Sequence, residues 1–166
     1  FFIPNKYWEI DSRGKLCTKI INKYTKEALK ILNKFLVPSL RNPKEHSSYI
    51  TPKVEHFVLS IPKMPREKLP KDIQRYIEWA EKTLEIPAQK KFGEFWFSHI
   101  NHWIKKWKFK RIAILEKFLP TTKAVSAHLL QDGVIGQKTY YFVSTGDYKK
   151  DKALVAWFNS SLGLLF

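Results

Sequence analysis

The chain holds one cysteine, one methionine and six glycines in 166 residues, and it carries half as many acidic as basic residues. Each shortage closes off a class of protein. A lone Cys17 permits neither a disulfide framework nor a cysteine-based zinc site, which suits a reducing compartment, and we expect a cytoplasmic protein. No apolar run reaches the roughly 18 residues of a spanning helix and no signal peptide opens the chain, so we expect no membrane partner. The glycines are scattered: Gly133 and Gly136 form the closest pair and open no helix, so no phosphate loop is present. No Ser-His-Asp order and no paired catalytic carboxylates stand out. Phe1-Phe2-Ile3-Pro4 begins without methionine and Leu164-Leu165-Phe166 ends on bare apolar residues, from which we expect a piece of a larger polypeptide.

What is abundant points elsewhere. Hydrophobic content of 44% and aromatic content of 15% fit a folded domain with a real core. Thirty basic residues against fifteen acidic ones give a net charge of +15, a field that attracts a polyanion. Nucleic acid is the first candidate and an anionic membrane surface the second.

The hydrophobic patterning predicts one α+β domain, a mostly antiparallel sheet packed against several helices. A leading strand around Trp8 and a helix over 25–36, capped by Thr25 with Ala28, Leu29, Leu32 and Leu36 buried, fill residues 1–36. Residues 37–110 hold a polar loop over 39–49, a strand at Phe57, Leu59 and Ile61, and helices over 71–84 and 88–108. The first helix is striped by Ile73, Ile77, Ala80 and Leu84, the second by Phe92, Trp96, Ile100, Trp103 and Trp107. Residues 111–166 read as strands over 111–118, 123–130 and 138–145, the last two joined at Gln131-Asp132-Gly133 in a hairpin, followed by a terminal helix from Lys152. Leu154, Trp157, Phe158 and Leu162 fall at helical spacing on that helix and predict its buried face.

In this last third, Thr139-Tyr140-Tyr141-Phe142-Val143-Ser144-Thr145 precedes Ala156-Trp157-Phe158-Asn159-Ser160-Ser161-Leu162-Gly163-Leu164-Leu165, with a polar linker between. Strand and helix together resemble the C-terminal target-recognition region of adenine-N6 DNA methyltransferases of restriction–modification systems, best over residues 117–166. The resemblance implies a part that reads and clamps double-stranded DNA. It also implies a catalytic domain of the same polypeptide that binds S-adenosylmethionine and flips the target adenine. The family's Asn/Asp-Pro-Pro-aromatic loop is absent: the chain contains no Pro-Pro, and Asn42-Pro43 is followed by Lys44. No methylation by this chain alone is expected, and no cofactor is expected to bind it.

Candidate DNA contacts follow from side-chain chemistry. Arg41, Asn42, Lys44, His46, Ser47 and Ser48 form the most donor-rich loop. Arg pairs with guanine and Asn with adenine, although a basic surface loop has the same composition. Lys105, Lys106, Lys108, Lys110 and Arg111 place basic groups beside the tryptophan stripe, where the rings suit a core and the lysines suit phosphates. Lys123 adds a further charge. His128, Gln137 and Lys138 flank the expected hairpin, a ribbon that would fit a major groove. His99 and His102 are three apart, near enough for one metal ion, but no acidic residue at helical spacing completes a ligand set. Asn159 and Ser160 read first as groups that satisfy backbone. Other readings are a stand-alone basic module for RNA or a ribonucleoprotein, and a nuclease-like enzyme whose His and Glu residues form no group in sequence.

Overall fold

A computed structural model describes residues 2–46, 50–107 (Trp107 by its backbone), 110–116, 125–131, 133–136 and 140–160. In chain order the elements are β1 (Phe2–Ile3), β2 (Trp8–Arg13), β3 (Cys17–Asn22), β4 (Ala28–Leu32), β5 (Leu36–Leu40), α1 (Pro43–His46), β6 (His56–Leu59), α2 (Lys71–Thr83), α3 (Pro87–Phe92), α4 (Asn101–Trp107), β7 (Ile112–Leu115), β8 (Ala127–Leu129), β9 (Ile135–Gly136), β10 (Tyr140–Val143) and α5 (Tyr148–Phe158). The fold is α+β, with the pairs β1–β6, β2–β3, β3–β4, β7–β8 and β7–β10 antiparallel and β5–β9 parallel. The chain forms two units, residues 1–37 with 57–105 and residues 38–56 with 106–166.

In the first unit β2, β3 and β4 make an antiparallel meander, and β1 pairs with β6. The helix expected over 25–36 is instead β4, a 3-10 turn and the start of β5. The apolar residues fit both periods, and the turn before them decides. The Asn22 side chain accepts the amides of Tyr24 and Thr25 at 3.0 and 3.1 Å, and Lys26 turns the chain at φ +60°. Leu29 and Ile31 are thereby fed into a strand beside β3, with Lys30 between them facing out. Helix α2 forms as its spacing predicts, burying Ile73, Tyr76, Ile77 and Ala80. Its Asp72 accepts the Lys30 amide on edge strand β4 at 2.8 Å.

The long helix expected over 88–108 is broken. Gly93 at φ +58°, a region that favours glycine, ends α3, and a 3-10 segment over Gly93–Ser98 precedes α4. Trp96 is buried and its indole donates to Glu81 at 2.9 Å. Trp103, expected in the core, is 43% exposed because the break rotates α4 out of the stripe.

The second unit carries a three-stranded antiparallel sheet ordered β10–β7–β8. Strand β7 therefore separates the two strands expected to form a hairpin. The chain leaves the turn at Gly133 for β9, which pairs in parallel with Ser39 and Leu40 of β5. Gly136 in β9 has no room for a side chain: a Cβ there would come within 2.7 Å of the Phe142 ring. One face of the sheet packs Ala113, Leu130 and Tyr140 with Leu40 and Val134. The other packs Ile112, Ala127 and Leu129 under Val155 of α5. No helix among the described residues is long and apolar enough to cross a membrane.

Candidate nucleic-acid interface

Helix α5 begins earlier than its apolar pattern suggests. Asp147 caps it, its side chain accepting the amides of Lys149 and Lys150, so Tyr148, Lys149 and Lys150 belong to the first turn and not to a linker. The buried positions are Asp151 and Val155, with Phe158 partly covered. Leu154 and Trp157, expected inside, point outward, and Trp157 is 45% exposed. Asp151 displaces them. Burial alone would raise its carboxyl, but hydrogen bonds from the Ser144 hydroxyl (2.7 Å), the Thr145 hydroxyl (2.8 Å) and the Thr145 amide, with Arg111 at 3.6 Å, hold it below the ordinary range. The ionised Asp151 ties the start of α5 to the end of β10. At the other end the Asn159 side chain accepts the Ser126 amide at 2.8 Å and donates to the carbonyls of Ala127 and Val155, both at 2.8 Å. Asn159 thus fastens α5 to β8, the backbone-satisfying role read from its residue type, and the Ser160 hydroxyl donates to the Trp157 carbonyl.

The expected contact residues do not share one environment. Lys105 and Lys106 are exposed on α4, and Lys44 is exposed on α1. Two candidates need correction. Arg111 is half-buried against Asp151, so its charge serves the fold. His128 is fully buried in β8, with its ring edge-on to Tyr140 at 5.8 Å, and faces no groove. Lys110 is half-buried. Ser47, Ser48, Lys108, Lys123, Gln137 and Lys138, like Asp132, Leu162 and the Trp107 side chain, lie outside the described residues.

The donor-rich loop is a structured turn. The Asn42 side-chain oxygen accepts the Lys44 amide at 3.1 Å and its carbonyl accepts the Glu45 amide, so half of the amide pair needed for adenine is occupied. Arg41 is half-buried, and His46 is buried. A cleft of about 540 Å³ beside them is lined by Glu45, His46, Thr51, Lys53, Glu55 and His56. Burial lowers the pKa of both His46 and His56, outweighing the nearby carboxylates, so both rings are neutral at pH 7. Two carboxylates lie in the wall of the cleft, and Glu55 is paired there with Lys53 at 3.0 Å.

His99 makes a 2.6 Å contact from Nδ1 to the Trp96 carbonyl and stacks on Phe92, and no group of His, Cys, Asp and Glu among the described residues could hold a metal ion. Sequence reasoning missed Lys149, Lys150 and Lys152 as surface groups. The signal was the Asp147 cap, which moves Lys149 and Lys150 onto the helix that Lys152 was expected to begin. No family model, no curated protein and no solved structure matches this chain.

Proposed function

We propose that this chain is the DNA-recognition and clamping part of a cytoplasmic, site-specific adenine-N6 DNA methyltransferase, which acts together with a catalytic domain of the same polypeptide. The observation that carries the DNA reading is how the charge is deployed. Six of the carboxylates are paired within the chain, some of them at the surface: Asp151 with Arg111, Glu81 with Arg66 and Trp96, Glu27 and Asp72 with Arg75, Asp11 with Lys19, and Glu55 with Lys53. The lysines of α4 and α5 stay on the surface. A surplus of +15 displayed in this way favours a polyanion and long-range steering toward it.

The methyltransferase reading rests on the strand–turn–helix over Tyr140–Phe158 with Asn159 behind it, in the order the resemblance requires. On this reading S-adenosylmethionine binds the catalytic domain and not this chain. The one strand–glycine–helix passage among the described residues, at Gly146, leads into amides that Asp147 already occupies. The donor and the flipped adenine belong to the catalytic domain. The coding sequence ahead of residue 1 tests this half: an in-frame Asn/Asp-Pro-Pro-aromatic motif supports it, and an upstream reading frame without that motif overturns it. Competition between DNA and RNA duplexes of one sequence tests the other half. Preference for DNA supports the proposal, and preference for RNA favours a stand-alone RNA or ribonucleoprotein module.

A further inference from the structure

We infer that the second unit grips the DNA backbone through one continuous surface, made by Lys149, Lys150 and Lys152 of α5 with the hydroxyls of Tyr141 and Tyr148 beside them. The inference rests on the DNA-binding reading above and names the surface that performs it.

The surface follows from how α5 is seated. Val155 and Phe158 cover Ile112, Ala127 and Leu129, which belong to β7 and β8. Tyr141 pairs with Ile114 and Val143 with Ile112, so Tyr141 and Val143 project from the same sheet face as these covered residues. The helix stops short of them: Tyr141 is 59% exposed on edge strand β10. The bonds from Ser144 and Thr145 to Asp151 then hold the first turn of α5 at the end of that strand. Tyr148, 53% exposed, and the lysines after it therefore continue the surface that Tyr141 begins.

The charge on this surface has no internal explanation. Lys149, Lys150 and Lys152 are exposed within the first five residues of α5, at the helix end where the macrodipole disfavours cations. Two carboxylates lie nearby, and both are engaged. Asp147 caps the helix through two amides, and Asp151 is fully buried on Ser144, Thr145 and Arg111. None of the three lysines makes an ion pair among the described residues. Because Asp147 holds the amides, an approaching anion meets the side chains and not the helix end. Lys149 and Lys152, three apart, share one flank of α5 with Tyr148, and Lys150 stands about 100° around the helix from Lys149. Ammonium groups set over about one 5.4 Å turn beside a phenol hydroxyl match the phosphates of a DNA strand. Such groups position a duplex without choosing its bases.

The test is fluorescence anisotropy of the 166-residue chain with a labelled 20-base-pair duplex across about 50 to 200 mM salt. Lys149→Gln, Lys150→Gln and Lys152→Gln together should weaken binding at least tenfold at low salt and reduce the magnitude of the salt slope by about 2 to 3, at roughly 0.9 for each phosphate no longer neutralised. The melting temperature should be unchanged or raised, and the matching Lys→Arg triple should keep wild-type affinity and slope. Tyr141→Phe with Tyr148→Phe should cost several-fold in affinity at an unaltered slope. If the wild type binds and the Gln triple keeps its slope, this inference falls and the DNA reading stands. If the wild type binds no duplex at low salt, both fall. A Gln triple with intact DNA binding that no longer pellets with phosphatidylserine vesicles would assign the surface to a membrane and overturn the inference.

Discussion

Asn159 and Trp157 stand two residues apart and carry opposite burdens. The Asn159 amide meets both the helix end and β8, so Asn159→Ala removes the acceptor of the Ser126 amide and the side-chain donor to the Ala127 carbonyl, and should cost about 2–3 kcal/mol, read by urea denaturation. Trp157→Ala removes a half-exposed ring and should cost less than about 1 kcal/mol. The reverse ranking would mean that Trp157 is the anchor of α5. Hydrophobic spacing alone gives that reverse ranking, because it sees Leu154 and Trp157 and not an aspartate as a core residue. The role of Asp151 was illegible for the same reason: its partners Ser144, Thr145 and Arg111 are assembled only by the fold. The nature of Asn159, by contrast, was legible from residue type.

His46 and His56 add a pH dependence. Burial lowers both from the ordinary 6.5, so below that value the unfolded chain takes up protons that the folded chain refuses. Their contribution is complete above pH 6.5 and is lost as pH falls through the folded values. Asp151, lowered from 3.8, contributes above pH 3.8, and that contribution is lost as pH falls through its folded value. The melting temperature should hold from about pH 8 down to neutrality and decline toward about pH 5, with a shallower decline in His56→Gln. A flat profile would place both imidazoles in solvent.

At the scale of elements, the chain was most readable where one period ruled. Helix α2 lies where Ile73, Ile77 and Ala80 put it, while β6 covers Phe57 and Leu59 but ends before Ile61 and buries Val58 as well. It was least readable where two periods coexist, as over residues 25–36, or where a single backbone angle breaks a regular stripe. Gly93 is that breaking point. A side chain there has open space around it yet must adopt φ +58°, so Gly93→Ala tests conformation without a clash. It should cost about 1–2 kcal/mol, measured by chemical denaturation. A neutral result would mean that residues 88–107 can run as one helix and that the break has another cause. The supposed hairpin after β8 fails for a topological reason. Segments near in sequence read as paired strands, while β7, from further back, sits between them.

At the scale of the molecule, the charge was legible from composition and its distribution was not. Counting gives +15, whereas only the fold separates Arg111, paired with Asp151, from Lys149 and Lys150, left exposed. The proposed function stands or falls on whether this surplus holds DNA. The decisive quantity is the affinity of the wild-type chain for a short duplex as salt rises from about 50 to 200 mM. A fall of roughly a hundredfold or more, linear in the logarithm of salt, is expected. Affinity indifferent to salt, or no binding at the low end, would contradict the DNA reading.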